Sequence, residues 1–313
     1  MKKSARKIEK VNRKIFKREF FRHVSSLRFL YFCGAVLILF SLCSIVSAQT
    51  KIAVLAPDKS DASRAFSAKL KEALARTDAK IFDDDLSAAA YEAQAPENPF
   101  NQTLLEAKRV GAAIGCDFFL LVKSATLRRE SLSKGEYVES YAALYTVSAR
   151  TGRLIFWRLA SFEAKAEDGA RAKLFASANI SATEIADKIK QASEREKVEK
   201  PAAKFEELPT ENSPEAKNFR PPLPYRRLRP AYTSQAGLYL IEATVDVEID
   251  VDENGAIAAV EIARWAGYGL DEATAENVKK MNWRAATRDG KPLPTRVLLR
   301  YNFKKIEAAE KDN

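Results

Sequence analysis

The feature that most constrains this chain is a run of uncharged, mostly apolar residues, Phe29–Ala48, directly after a basic arm. Residues 1–28 hold eleven Lys or Arg residues against two Glu residues, so most of the net charge of +10 lies there. A helix of about 20 residues can cross the ~30 Å hydrocarbon core of a bilayer, and a basic flank stays cytoplasmic. The sequence therefore predicts a basic cytoplasmic arm at 1–28, a transmembrane anchor at 29–48 and an exported body.

The end of the apolar segment also fits a signal peptidase site. Val46, Ser47 and Ala48 form a small-residue pattern that would permit cleavage before Gln49. A retained anchor and a removed signal peptide both remain open for residues 29–48. In either case the body of the chain is expected to leave the cytoplasm, because the basic flank fixes the orientation.

Histidine and cysteine are almost absent from the exported part. The single histidine, His23, lies in the basic arm, and Cys33 and Cys43 lie in the apolar segment, which leaves Cys116 alone in the body. Neither an internal disulfide nor a Ser-His-Asp triad nor a His-ligated zinc can form there. We expect no enzyme and no cofactor. The nearly balanced charge of the body also argues against a nucleic acid partner.

Residues 49–195 alternate between strand-like and helical patterns. β-type runs cover Lys51–Ala56, Ala79–Phe82, Phe118–Val122, Tyr137–Ala149 and Arg153–Ala164, and helical patterns cover 61–76, Leu104–Ile114 and 168–196. Gly115 ends the middle helix as a C-cap, and Thr151-Gly152 forms the turn between the last two strands. This order predicts an α/β sandwich domain at 49–195.

Three pieces of this domain carry a family resemblance. They are KIAVLAP at 51–57, AAIGCDFFLLV at 112–122 and ALYTVSARTGRLIFW at 143–157. In this order, residues 50–195 resemble the α/β domains of TolB-N-like and CsgG-like periplasmic proteins. The resemblance implies a fold and says little about function.

The composition changes after residue 195. Lys and Glu alternate across 196–229, and the six prolines 201, 209, 214, 221, 222 and 224 interrupt any regular element. No apolar run is long enough to build a core. The sequence predicts a Pro/Glu/Lys linker at 196–229, with a separate domain at 230–305.

The C-terminal residues follow a strand pattern of period two. Val245, Val247, Ile249 and Val251 alternate with acidic or polar residues, and Asn254-Gly255 supplies a tight hairpin. A return strand, a helix at Leu270–Met281 and a last strand at Thr295–Phe303 complete a small ββαβ unit.

Four stretches of this unit resemble the TonB C-terminal domain, over about 225–305. They are Arg229–Thr233, the hairpin Ile249–Gly255, Gly269–Asp271 at the start of the helix, and Trp283–Pro294, where Ala285 replaces the usual Pro. The predicted fold class is α+β: an N-terminal membrane or signal helix, an α/β sandwich domain, a linker and a ββαβ unit of TonB type.

The resemblance implies an envelope protein that binds an outer-membrane TonB-dependent transporter, or another envelope protein, by strand addition to its C-terminal sheet. It also implies energy transduction through an ExbB/ExbD-type inner-membrane motor, although the apolar segment has no histidine of the kind that motor-coupled members carry. The candidate partner-binding residues are Pro230, Tyr232, Arg296, Leu298, Arg300 and Asn302.

The implied localisation is a single pass in the inner membrane with a periplasmic body. The alternative is a soluble periplasmic scaffold or adaptor that is not coupled to an energy source. Its signal peptide would be removed by cleavage before Gln49. Sequencing the N-terminus of the mature protein separates these two.

Residues 250–261 resemble a calcium-binding loop in spacing alone. Asp250, Asp252, Asn254 and Glu261 satisfy the oxygen-ligand spacing of such a loop. A calcium loop needs a helix on either side, whereas residues 243–251 have the period of a strand. We therefore expect no metal site here.

Overall fold

The computed structural model describes residues 49–199 and 205–305. The arm at 1–28 and the segment at 29–48 lie outside the described residues, so the anchor and the signal peptide remain predictions. None of the helices within the two described stretches has the length and apolar character that spanning a membrane requires.

The first part of the body contains a mixed five-stranded sheet. Its strands are β1 (Lys51–Leu55), β2 (Lys80–Ile81), β3 (Phe118–Ser131), β4 (Gly135–Ser148) and β5 (Leu154–Ala164), in the order β2-β1-β3-β4-β5. β1 pairs in parallel with β2 and β3, whereas β3, β4 and β5 are antiparallel. All five predicted strands are confirmed, and β3 continues nine residues beyond Val122 into a long hairpin.

Five helices flank this sheet: α1 (Asp61–Leu74), α2 (Asp84–Gln94), α3 (Leu104–Ile114), α4 (Glu167–Ala176) and α5 (Ala178–Val198). Ser60 caps α1, and Asp83 caps α2, a helix that the sequence left unassigned. Thr103 and Glu106 form a capping box at the start of α3, which ends as predicted at Gly115, with φ +78°.

The sheet buries both of its faces. One face packs against α1, α4 and α5 around Phe66, Leu70 and Ile185. The other face packs against α3 through Val110, and its core continues without a break into the C-terminal residues around Trp265. Residues 49–199 and 205–305 accordingly belong to one compact unit.

The C-terminal part contains a second sheet, with two short helices beside it. After α6 (Ser234–Leu238) come β9 (Ala243–Val251), β10 (Ile257–Arg264), α7 (Leu270–Val278), three short strands and β14 (Thr295–Phe303). The short strands are β11 (Trp283–Arg284), β12 (Ala286–Arg288) and β13 (Lys291–Leu293). β9 pairs with both β10 and β14 in antiparallel register.

The predicted alternation along β9 is confirmed. The side chains of Val245, Val247, Ile249 and Val251 are fully buried on the face that packs against α7. The hairpin after β9 is also confirmed: Asp252 accepts hydrogen bonds from the backbone N–H groups of Asn254 and Ala256, and Gly255 has φ +82°. Only a glycine adopts that backbone angle without strain.

The segment predicted as a linker is structured where it is described. α5 extends to Val198, and residues 205–229 form β6 (Glu206–Glu207), a 3-10 turn, β7 (Phe219–Arg220) and β8 (Leu223–Pro224). These strands pair with β14, β12 and β11 respectively. A segment without apolar runs is ordered here because the C-terminal part supplies backbone partners. The boundaries at 195 and 229 stay predictions.

Candidate functional site

The candidate site is the outer edge of β14. Backbone groups alternate in direction along a strand, so only every second residue can pair with β9. The C=O groups of Pro294 and Arg300 point away from β9, since they accept hydrogen bonds from Glu206 N (3.1 Å) and from Arg227 Nη2 (2.7 Å). By this alternation, Leu298 and Asn302 also direct their N–H and C=O groups outward.

The chain itself contacts this edge at two places, at its start through β6 and at Arg300 through Arg227. β6 pairs in parallel with β14 at Thr295 and Arg296 only. The Arg227 guanidinium lies 5.1 Å from the centre of the Tyr301 ring while it donates to the Arg300 carbonyl. No other strand is paired with this edge in the described part of the chain. The backbone from Leu298 to Asn302 therefore remains available for pairing, apart from one carbonyl.

The two arginines predicted to bind a partner are already paired with carboxylates of β9. Arg296 donates through Nε and Nη2 to both oxygens of Asp250 (2.7 and 2.9 Å), and Arg300 holds Asp246 in the same two-pronged way (2.7 and 2.9 Å). These hydrogen bonds raise the pKa of both guanidinium groups. Arg264 donates to Asp246 from the other side, at 3.3 Å.

In these ion pairs the acidic partner is more deeply buried than the basic partner. The carboxylates of Asp246 and Asp250 are almost completely buried, whereas the side chain of Arg300 is 58% exposed. Burial raises the pKa of the neighbouring Glu248, an effect that Arg296 opposes and that nearby carboxylates reinforce. The polar face of this sheet therefore buries Asp246 and Asp250 and exposes the Arg300 side chain at its outer edge.

The other candidate residues lie in different surroundings. Leu298 (49% exposed) and Asn302 project from the same face as Arg300. Tyr232 Oη instead lies 3.0 and 2.9 Å from the carbonyl oxygens of Ala236 and Ile241, next to α6, and its single proton is shared between them. The hydrogen bonds of Tyr232 thus stabilise the entry to β9. The binding roles of all six residues stay predictions.

The acidic residues with calcium-loop spacing each bind a different group of the protein. Asp250 pairs with Arg296, Asp252 closes the hairpin, and Glu261 on β10 accepts from Arg153 Nε at 2.6 Å. Strands, not helices, lie on either side of this loop. Across residues 49–199 and 205–305, no cluster of three or more metal-binding side chains is present.

A connection that sequence reasoning missed fixes this sheet against the five-stranded part. Asn101, before α3, donates from Nδ2 to the carbonyls of Thr244 (2.8 Å) and Trp265 (2.7 Å) and accepts from Thr244 N (2.9 Å). Trp265 also donates from Nε1 to the Gly152 carbonyl at 3.2 Å. The partners of Asn101 are 143 and 164 residues away in sequence, so no local sequence pattern could reveal these hydrogen bonds.

The loop Trp265–Gly269, here called the docking loop, completes this connection. Its aromatic rings pack on Tyr145 and Trp157 of the five-stranded sheet. Asp271, buried at the start of α7, accepts from the backbone N–H groups of Ala266 and Gly267, both at 2.8 Å. Burial raises the pKa of this carboxyl to about 7. The docking loop thus depends on a buried acid.

A second polar connection lies near α6. Glu139, 5% exposed, accepts hydrogen bonds from Ser161, Tyr239 and Arg129, the last at 2.7 Å. Although burial opposes the change, these bonds lower the pKa of Glu139. Arg129 also donates to the Leu238 carbonyl at 3.2 Å. Polar bonds and aromatic packing together position the β14 edge relative to the five-stranded part.

The family described as Gram-negative bacterial TonB protein C-terminal matches residues 229–304. Residues 229–304 form a TonB C-terminal domain. The prediction drawn from Arg229–Thr233 and Trp283–Pro294 is confirmed. Proteins of the TonB type are non-enzymatic envelope proteins, and the family of TonB C-terminal domains interacts with envelope proteins such as outer-membrane transporters.

Solved structures similar to this chain include the TonB C-terminal domain of Pseudomonas aeruginosa, which is 18% identical, with 34% of this chain and 99% of that chain covered and a TM-score of 0.25. The lipoprotein GNA1162 of Neisseria meningitidis is 13% identical, with 44% and 99% covered and a TM-score of 0.31. The hypothetical protein CT253 of Chlamydia trachomatis is 15% identical, with 47% and 97% covered and a TM-score of 0.29.

At these TM-scores the three structures add no argument to the fold described above. A comparison with curated proteins finds no match. The resemblance of residues 50–195 to TolB-N-like and CsgG-like domains stays a prediction. The TonB C-terminal domain covers the C-terminal sheet and its free edge, and the five-stranded part lies outside the family match.

Proposed function

We propose that this chain is a non-enzymatic envelope protein that binds an outer-membrane transporter, or another envelope protein, by taking up an extended segment of it along Leu298–Asn302. The observation that carries the proposal is the open backbone of β14 within a TonB C-terminal domain. Strand addition needs an unpaired edge, and its affinity comes mainly from backbone hydrogen bonds.

The dimensions of the edge fit such a partner. Five residues of a strand extend about 17 Å at ~3.4 Å per residue. Leu298, Arg300 and Asn302 present three N–H and three C=O groups, one of which already accepts from Arg227. The side chains of Arg296 and Arg300 are held on the polar face, because each is bound to a carboxylate of β9. A partner strand thus meets a preformed template.

This function places residues 49–305 in the periplasm, as the basic arm and apolar segment also predict. Coupling to an ExbB/ExbD-type motor is not part of the proposal, because the segment that would contact a motor lies outside the described residues.

Photo-cross-linking in cells tests the proposal. A photoreactive amino acid replaces Asn302, an exposed residue on the open edge strand, or Lys280, an exposed residue just after α7 that serves as the control. We expect the Asn302 position to give a discrete product that contains an outer-membrane transporter or another envelope protein, and the control position to give none. Equal products from both positions, or none from Asn302, would refute strand addition at this edge.

A further inference from the structure

We infer that helix α3 of the five-stranded part forms the second wall of the strand-binding site, and that Leu105 and Lys108 select a segment with an apolar and an acidic side chain two residues apart. This inference rests on the proposed strand addition and extends it to residues outside the TonB C-terminal domain. It gives the five-stranded part a role in choosing the partner.

A cleft of about 900 Å³, here called the polar cleft, separates the polar face of the C-terminal sheet from α3 and the β4–β5 turn. Leu298 and Arg300 line one side of it, and Leu105 and Lys108 line the other. Directly opposed residues of neighbouring strands project from the same face, with Cβ atoms about 5 Å apart. A strand added to β14 would therefore direct every second side chain into the mouth of this cleft.

The preference for an apolar side chain follows from two exposed leucines that border the polar cleft. Leu105 is 57% exposed and Leu298 is 49% exposed, and both border the polar cleft. A partner side chain opposite Leu298 would remove both leucines from water, which is favourable at about 25 cal/mol per Å² of apolar surface. A polar side chain at that position would gain nothing from this contact.

The acidic part follows from the charges that remain accessible. The acids on the sheet side of the cleft are bound to arginines: Asp246 to Arg300 and Arg264, Glu248 to Arg296 at 3.6 Å, and Glu261 to Arg153. Lys108 is exposed and makes no ion pair with any of the described residues. A carboxylate opposite Arg300 would meet exposed cations, whereas a lysine there would be repelled.

The chain's own strand provides an internal precedent. β6, which pairs with the first residues of β14, consists of Glu206 and Glu207. The pKa of Arg296 is raised first by the hydrogen bond that it donates to Asp250, and Glu207 is one of the carboxylates that raise it further. The edge of β14 thus already accommodates an acidic strand.

Three peptides with the sequence Thr-Val-Thr-X-Thr-Val-Thr-X, where X is Glu, Gln or Lys, test the inference. Each carries a fluorophore, and its affinity for the full-length protein in detergent is measured by fluorescence anisotropy at low salt, where screening is weakest. We expect the Glu peptide to bind most tightly and the Lys peptide most weakly. Lys108→Glu should reverse this order, with about a fivefold loss for the Glu peptide, as expected for exposed charge pairs.

Matched variants test whether the effects are specific to the residues that line the polar cleft. Arg109→Glu makes the same charge change at the next residue, which does not line the cleft, and should leave the order unchanged. Leu105→Ser should weaken all three peptides by a similar factor, whereas Leu86→Ser, at an exposed position of α2, should not.

N-methylated peptides distinguish a failure of the role of α3 from a failure of strand addition. Peptides with an N-methyl group at every residue have no backbone N–H group to donate and cannot pair along a strand edge. If unmethylated peptides bind no better than methylated ones, strand addition itself is wrong. If they bind better but the Glu and Lys peptides bind equally, and Lys108→Glu changes neither, strand addition stands and the role of α3 is overturned.

Discussion

Asn101 offers a direct test of how firmly the TonB C-terminal domain is attached to the five-stranded part. Its side chain is 6% exposed and forms three hydrogen bonds of 2.7–2.9 Å, to Thr244 N, Thr244 O and Trp265 O. Asn101→Ala would remove all three and leave three backbone groups without these partners. Every one of these bonds crosses between the two parts, so the variant tests their attachment.

The cost follows from the number of bonds. A buried backbone group left unpaired costs about 1–3 kcal/mol, and the low end applies because Thr244 is only partly buried. We expect a loss of about 3 kcal/mol in the free energy of unfolding. At about 2–4 °C per kcal/mol for a unit of this size, the melting temperature should fall by roughly 6–12 °C.

Urea unfolding followed by circular dichroism measures this loss, and Asn98→Ala is the matched control. Asn98 lies in the same loop and is exposed, and its side chain accepts one local hydrogen bond, from Phe100 N at 3.2 Å. Its replacement should cost about 0.5 kcal/mol or less. Hydrogen exchange should accelerate at the Thr244 amide in Asn101→Ala only. If both variants lose the same stability, the three bonds do not hold the parts together.

The docking loop gives two further predictions. The pKa of Asp271, raised to about 7, favours its protonated form in the folded state, so the stability this provides is present below pH ~4 and is lost as pH rises to 7. Relative to Asp271→Asn, the wild type should therefore lose on the order of 4 kcal/mol over this range in urea unfolding; parallel pH profiles would contradict this. Gly267→Ala would place a Cβ 2.6 Å from the Trp157 ring at φ +72°, whereas Gly290→Ala meets nothing at φ +79°. Thermal melts should show a loss of about 1–2 kcal/mol for the second variant and clearly more for the first, and equal losses would contradict the proposed packing.

Local chemistry explains most of what the sequence predicted. The alternation from Val245 to Val251, the Asn254-Gly255 hairpin and the C-cap at Gly115 depend on neighbouring residues, and each was found where predicted. The last strand, Thr295–Phe303, also has its predicted bounds. Helix α2 was missed, although Asp83 followed by Ala-rich sequence was an available N-cap signal.

Long-range partners could not be predicted in the same way. The candidate arginines Arg296 and Arg300 have the right spacing to meet Asp250 and Asp246, but only the strand register shows that they do. The segment 205–229 is polar and rich in proline, so its order depends on edges offered by strands far along the chain. Sequence composition indicates how much apolar surface a segment can bury on its own. The structure of segment 205–229 depends instead on the strands with which it pairs.

The most direct test of the central claim is the exchange of individual amide hydrogens along β14 in the full-length protein, with and without the Glu peptide. The amides of Leu298, Arg300 and Asn302 point to the open edge and should exchange more slowly once the peptide binds. Those of Leu299 and Tyr301, which pair with β9, should not change. If the edge amides exchange at the same rate with bound peptide, or if protection appears only on β5 or β10, strand addition to β14 is contradicted.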